Sequence, residues 1–510
     1  MGMNRDRKKV FLLGMDGVPL ELIQPWLDSG EMPTLKQIQE QSRYGTIVSC
    51  IPPSTSAAFA SIMTGKNPGK HGIYDFFAKK DVSYDFGINT FSDIKAETVW
   101  HILSRHGKKV NILNLPFTYP IKPVNGCIIS GLITPHGAKD YCYPEGLLDE
   151  LSLNVGDYYL HLDEKYEKGN VHKFIDEQNK SNKIMVDYAL YMMEKKEWDF
   201  FFMHFITTDR VLHEVWHFND PTHPQYDPKE VRRDGNVLKE FYIRLDREIK
   251  RVIDRLEDNT TLIIFSDHGF CGIERFINMN TWLLLNGYIT LKNSILTKIK
   301  YIFNRYGFNY YSIGKLLLKM KLTKYLMRKD FEGRQAGQQK FFLSLMDVDW
   351  RKTLAFSSGF WSQIYINRKN YFKNGIVDEN EYPRLLEEIK EKLFTLRDPD
   401  TGEKLIDKVY FKKEIYSGAW LDYAPDILFE MKNKRYKPLG LADFPSTAII
   451  EDIFGCTGNH SHTGLIMIKG PEVNNYGYTI HNASIYDIAP TVLKLFNILP
   501  DNDMDGKPLI

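Results

Sequence analysis

The sequence predicts an α/β fold, a mostly parallel sheet lying between helices, and three short stretches carry that prediction. KVFLLGMD (residues 9–16), WDFFFMHF (198–205) and TTLIIF (260–265) are near-continuous apolar runs of strand length. They do not alternate, so they read as strands buried on both faces. Helical periodicity at Val171 to Lys195 and Gly235 to Leu256 separates the later runs. In open sheets of this kind, functional groups collect at the carboxyl ends of the strands.

Composition sets the frame. The chain has 510 residues, 43% hydrophobic and 26% charged, which suits one large domain with insertions. Lys plus Arg number 66 against 65 Asp plus Glu, a net charge of +1. Nothing in that balance points to nucleic acid, and none is expected as a partner. The five cysteines are scattered, with no Cys-x-x-Cys, which suggests neither a disulfide framework nor a zinc ribbon and fits reduced thiols. No apolar stretch reaches eighteen residues and the N-terminal run is too short for a signal segment, so the expected location is cytoplasmic.

Taken in order, the first strand ends in Asp16 and Gly17, a carboxylate at the sheet edge or a turn and helix cap. IPPSTSAAFASIMTGKNPGKHGI (51–73) then places Ser54, Thr55 and Ser56 before a small apolar helix closed by Thr64 and Gly65. A hydroxyl there is either an ordinary cap or a group set among unpaired N–H groups, where a phosphoryl or sulfuryl group would be welcome. A helix at Thr98 to Leu103 and a strand at Lys109 to Leu115 follow. Residues 118–170 carry Pro, Gly, Tyr and Asp with weak periodicity and read as an irregular insertion.

The second apolar run leads into ITTDRVLHEVWH (206–217). Asp209 and His213, four apart, share one helix face and can point at one ion or form a surface pair. His217 is a third ligand, a supporting group or a plain helix residue, the last two preferred. The third run ends in Ser266-Asp267-His268-Gly269, a carboxylate and an imidazole at a strand end with a glycine to turn the backbone, which is a compact metal-binding corner. Residues 275–349 show helical periodicity with many lysines and arginines and read as a basic cap insertion. Such a region lies on a membrane surface as a peripheral contact, grips an anionic substrate, or is simply solvated with its lysines snorkelling. Near the C-terminus, GCTGNHSHTG (455–464) sets two imidazoles on a tight loop. His460 is the preferred ligand, and His462 orients it or approaches the substrate.

Asp16, Asp209, His213, Asp267, His268 and His460 thus make three Asp and three His at apparent strand ends, the make-up of a two-metal site of nitrogen and oxygen ligands. In order, the motifs GMDG, PPSTSAAFASIMTGKNPGKHGI, TTDRVLH, FSDHGF, GNHSHTG and DIAPTVLKLFNILPDNDMDGKPL resemble the alkaline phosphatase superfamily, in its type I phosphodiesterase/nucleotide pyrophosphatase branch. The resemblance spans Gly14 to Leu509. It implies an alkaline-phosphatase-like sandwich over residues 1–510 and Thr55 as nucleophile. One ion would be held by Asp16, Thr55, Asp267 and His268, and the other by Asp209, His213 and His460. Zinc is expected, with manganese the alternative. An Asn often assists phosphoryl binding in this family, and Asn89 lies downstream at a fitting distance. The implied activity is hydrolysis of a small phosphorylated substrate, a phosphodiester or pyrophosphate, through a phospho-threonine. The alternatives are a phosphomutase or phosphotransferase of the same superfamily, or a non-catalytic phosphate-binding relative. A sulfatase is excluded, because Ser54-Thr55-Ser56-Ala57-Ala58 lacks the Pro and Arg of that motif.

Overall fold

Alternate residues of the apolar strands feed two separate cores. In the computed structural model, Phe11, Leu13, Met15, Phe201, Met203 and Phe205 enter one apolar cluster, while Val10, Leu12, Phe200 and Phe202 enter another on the opposite face. The period of two along an extended chain makes this division, and it explains why the runs are apolar throughout. The structure describes residues 7–162, 166–320, 339–361, 363–440, 443–453, 455–474 and 476–510.

The central sheet has nine strands. From edge to edge they are Thr479–Ser484, Arg43–Val48, Thr463–Lys469, Thr260–Phe265, Lys9–Met15, Phe200–Phe205, Val110–Leu115, Gly126–Ser130 and Cys142–Tyr143. Seven run in one direction. Thr463–Lys469 and Cys142–Tyr143 are antiparallel to their neighbours. Gly14 is in register with both Phe265 and His204, so the three central strands end level and their following residues emerge at one edge. Helices Leu20–Asp28, Pro33–Glu40, Val171–Lys195 and Val237–Ile253 cover one face, and Thr55–Thr64, Val99–Arg105 and Ile488–Leu495 cover the other. The architecture is therefore α/β, a mostly parallel sheet flanked by helices. Truncating a fully buried ring such as Phe11 to alanine would cost about 3–5 kcal/mol.

Two insertions differ from the expectation. Residues 118–170 contain Gly126–Ser130 and Cys142–Tyr143, both strands of the central sheet, and the helix Leu147–Asn154. GCIIS is too short to declare itself, and its strand character comes from pairing with Val110–Leu115. The stretch 275–349 is not a purely helical cap. It opens with the strand Arg275–Asn278, which pairs with Tyr436–Leu439 and Ile450–Asp452. Beyond it, Ala355–Ser357, Gln363–Ile366, Ile427–Met431 and Ile406–Phe411 form a four-stranded antiparallel sheet in that order. An apolar cluster of its own, from Ile277 to Phe444, supports this unit. Pairings this far apart along the chain leave no local periodicity to read. The helices Ile295–Arg305 and Tyr310–Lys319 do lie in the expected stretch, while part of it, 321–338, falls outside the described residues.

Candidate metal centre

The level strand ends gather the polar residues. Asp16 follows Lys9–Met15, Asp267 and His268 follow Thr260–Phe265, and the helix Thr207–Val215, which starts beyond Phe200–Phe205, carries Asp209 and His213 one turn apart. His460 comes from the strand Gly458–Ser461, which pairs antiparallel with Gly269–Gly272 so that His460 lies opposite Phe270. Two glycines permit this closeness. A Cβ on Gly17, whose φ is +71°, would lie 2.8 Å from the Phe270 ring, and one on Gly458 would lie 2.4 Å from the Leu212 carbonyl oxygen.

Thr55 is the first residue of the helix Thr55–Thr64, and its Oγ1 lies 3.3 Å from His268 Nε2. Its neighbours are otherwise engaged. Ser54 Oγ and Ser56 Oγ are 3.0 Å apart, and Ser54 also donates to the buried Asp75 carboxylate at 3.4 Å. Ser54 makes no side-chain capping bond, so the hydroxyls here are not spent on helix capping.

The three imidazoles share one arrangement. His213 Nδ1 lies 2.8 Å from the Gly458 carbonyl, His460 Nδ1 2.8 Å from that of Pro53, and His268 Nδ1 3.0 Å from that of Gly269. A carbonyl only accepts, so each Nδ1 carries the hydrogen and each Nε2 is directed inward. His213 Nε2 and His460 Nε2 are 3.0 Å apart, and Asp209 Oδ1 lies 3.4 and 3.0 Å from them. His268 Nε2 lies 3.2 Å from Asp16 Oδ1 and 3.3 Å from Asp267 Oδ2. Donor atoms of Asp209, His213 and His460 fall within 4.8 Å of one another, and so do those of Asp16, Asp209 and His268. Asp209 therefore belongs to both groups.

The electrostatics of the cluster are those of closely packed buried acids and imidazoles. Burial, with Asp209 adding to it, raises the Asp16 carboxyl to about 6; burial and then Asp16 raise Asp267 to about 7. Burial opposes ionisation of Asp209 too, but His213 and His460 more than offset it and hold that carboxyl below its usual range. Burial lowers His213, and lowers His460 to about 3, which keeps both in the neutral form that is able to ligate a metal. Against its burial, Asp267 and Asp16 raise His268 to about 10. Asp16 Oδ1, Asp209 Oδ1 and Asp267 Oδ2 are buried and make no hydrogen bond. Buried carboxylate oxygens without donors, facing inward-pointing imidazole nitrogens, fit a divalent metal ion.

One participant escaped the sequence reading. His204 Nε2 lies 3.0 Å from Asp16 Oδ2, and its ring stands edge-on to Phe59 at 4.5 Å. Gly14 leaves the room, since a Cβ there would lie 2.5 Å from His204 Nδ1. A lone imidazole inside the apolar run WDFFFMHF was the available signal. Asn89 is not brought to the cluster. Its Nδ2 donates to the Asp75 carbonyl at 2.8 Å and its Oδ1 accepts from Lys80 Nζ at 3.0 Å. His217 packs against Tyr166 and Phe218. His462 Nε2 lies 3.5 Å from Glu430 Oε1 in a pocket of about 90 Å³ beside His460, walled by Trp361, Phe429, Tyr436 and Lys434.

A family model of type I phosphodiesterases/nucleotide pyrophosphatases matches residues 10–452, the span holding every element of this centre except His460 and its strand. The chain belongs to that family. It is an enzyme of the phosphoester hydrolase class. Among solved structures, phosphonoacetate hydrolase from Sinorhizobium meliloti, in complex with phosphonoformate, is similar with a TM-score of 0.55 at 13% identity, covering 95% of this chain and 94% of that one. Human ectonucleotide pyrophosphatase/phosphodiesterase 5 is similar with a TM-score of 0.51 at 13% identity, covering 98% and 97%. Its murine counterpart, as an inactive variant in complex with AMP, reaches 0.51 at 12% identity, covering 97% and 96%. No curated protein matches the sequence at a significant level.

Proposed function

We propose that this phosphoester hydrolase is a phosphodiesterase or nucleotide pyrophosphatase that works through a phospho-threonine at Thr55, on a centre of two divalent ions. Asp16, Asp267 and His268 would hold one ion, and His213 and His460 the other, with Asp209 within reach of both. The observation that carries the reading is the Thr55 hydroxyl, at a helix N-terminus and 3.3 Å from His268 Nε2. Zinc suits the nitrogen and oxygen donors, with manganese the alternative. When bound, such ions lower the pKa of a coordinated hydroxyl and neutralise a leaving oxygen.

The chain's residues supply the rest. Thr55 Oγ1 attacks phosphorus in line and gives its proton to solvent as the bond from phosphorus to the ester oxygen breaks; water then attacks the same phosphorus, the bond to Oγ1 breaks, Oγ1 regains a proton, and phosphate or a monoester is released. The helix N-terminus favours the phosphoryl charge, and the backbone carbonyls of Pro53, Gly458 and Gly269 keep the imidazoles aimed. Positioning and charge stabilisation suffice for phosphoryl transfer. The family gives further support, since the inactive murine relative in complex with AMP carries a threonine-to-alanine change. The five cysteines are unpaired, which supports a reducing, cytoplasmic setting.

Elemental analysis with hydrolysis of bis-p-nitrophenyl phosphate and p-nitrophenyl phosphate, on wild type and Thr55→Ala, tests this. Two ions per chain in both proteins, with activity lost only in the variant, is the expected result. Full activity in Thr55→Ala would remove the phospho-threonine from the mechanism.

A further inference from the structure

The helix Ile295–Arg305 is packed the wrong way round for a soluble surface. Its buried side chains are Thr297, Lys300 and Asn304, spaced along one face. Thr297 Oγ1 donates to Asp347 Oδ1 at 3.0 Å, Lys300 Nζ to Asp347 Oδ2 at 3.1 Å, and Asn304 Nδ2 to the Phe444 carbonyl at 2.9 Å. The opposite face, which carries Ile295, Ile299, Ile302, Phe303 and Tyr306, points to solvent, with Ile295 80% and Tyr306 85% exposed. An amphipathic helix on a folded domain ordinarily does the reverse, because each large apolar side chain gains free energy on leaving water. Burying the Lys300–Asp347 ion pair while leaving such a face in water makes sense only if the face is covered in use. The next helix, Tyr310–Lys319, carries the exposed Leu316, and Met320 and Phe341 are exposed as well.

Charge identifies the cover. Residues 292–320 hold six lysines and arginines and not one aspartate or glutamate, in a chain whose net charge is only +1. Lys298, Arg305, Lys315 and Lys319 are exposed, and among the described residues none forms an ion pair. Exposed large apolar side chains with unneutralised cations before, among and after them in the chain match the headgroup boundary of an anionic bilayer, where the cations meet lipid phosphates and the apolar face enters the acyl boundary. Among the described residues no helix is long and apolar enough to cross a membrane, so the contact lies in the interface plane. The helices are fixed to the catalytic unit. Tyr311 OH donates to the Asp452 carbonyl at 2.7 Å, and the strand Ile450–Asp452 shares a small sheet with Tyr436–Leu439, whose Tyr436 and Pro438 wall the pocket beside His460.

We infer that the outward apolar face of Ile295–Arg305, together with the cations of the helix that follows it, is a docking surface for an anionic lipid bilayer. Flotation of the full-length protein with phosphatidylglycerol/phosphatidylcholine vesicles, against pure phosphatidylcholine vesicles, tests it, with bis-p-nitrophenyl phosphate hydrolysis and thermal melts as controls. Wild type should bind the anionic vesicles and release them in salt near 1 M, where screening is short-ranged. The double variants Ile302→Asn with Phe303→Asn, and Lys315→Glu with Lys319→Glu, should each bind about tenfold more weakly or worse while hydrolysing the soluble diester normally. Failure of wild type to bind anionic vesicles, or undiminished binding by both variants, would overturn the inference. So would self-association of wild type that the first variant abolishes without vesicle binding, which would make the face an interface between two copies.

Discussion

The two donor groups are built from different materials. The set proposed to hold the inner ion, Asp16, Asp267 and His268 with Thr55, hangs from the ends of two adjacent parallel strands and a buried helix start, and every member is at most 3% exposed. The outer one joins Asp209 and His213 on a single helical turn to His460 on a short strand far along the chain, and the His213 side chain is 25% exposed. Strand register holds the first group rigid. The second depends on one short antiparallel pairing, Gly269–Gly272 with Gly458–Ser461, closing over the helix. An inner ion should therefore be held tightly and an outer one exchange more readily, because ligands on a rigid scaffold lose less freedom on binding.

The change with the largest expected effect erases the distinction. Asp209→Asn removes the carboxylate within reach of both groups, so metal content should fall toward zero and kcat/KM by at least about a thousandfold. Retention of one full ion would show that Asp209 serves only the outer group. His460→Ala should sharpen the contrast. Elemental analysis is expected to find one ion retained, and activity about a hundredfold lower.

His204→Gln probes the inner group from behind. Loss of its contact with Asp16 Oδ2 should weaken metal affinity about tenfold, seen as a lower chelator concentration for half-inactivation. Unchanged chelator sensitivity would make His204 a packing residue. Gly458→Ala strikes the outer group through its backbone. The added methyl meets the Leu212 carbonyl oxygen, and the domain should lose about 1–3 kcal/mol in a denaturant titration, with outer-ion occupancy falling first.

The smallest effect concerns the inner group's support. His71 is buried under the helix Thr55–Thr64, with Nε2 3.0 Å from Ser61 Oγ and its Nδ1 accepting from Ile73 N–H at 3.1 Å. Burial lowers its pKa to about 3, so the folded protein keeps it neutral. The unfolded chain takes up a proton below about pH 6.5, so the stability due to neutral His71 declines as pH falls through that value. The stability gap between wild type and His71→Gln should therefore shrink by about 1–2 kcal/mol between pH 7 and pH 5. A gap independent of pH would mean that His71 is not held neutral by the fold.

Much of the centre was legible because its signals are local. Asp267 and His268 are covalent neighbours after a β-branched strand, and Asp209 and His213 share a helix face by the 3.6-residue period. The parallel sheet was legible for a related reason, since strands buried on both faces must be apolar throughout. The insertions were harder. Arg275–Asn278 is a strand only because Tyr436–Leu439 and Ile450–Asp452 flank it, and Gly126–Ser130 only because Val110–Leu115 does.

By itself, then, the sequence determined the α/β class, the strand ends and the residue types that gather at them, since these follow from side-chain period and covalent adjacency. Tertiary structure decided what depends on distance. It turned Thr55, and neither Ser54 nor Ser56, toward His268; it set Asp209 between two groups and His204 behind Asp16; and it faced Asn89 elsewhere. It also turned the apolar face of Ile295–Arg305 outward, because a helical period shows that a helix has two faces but only its packing partners choose which one is buried.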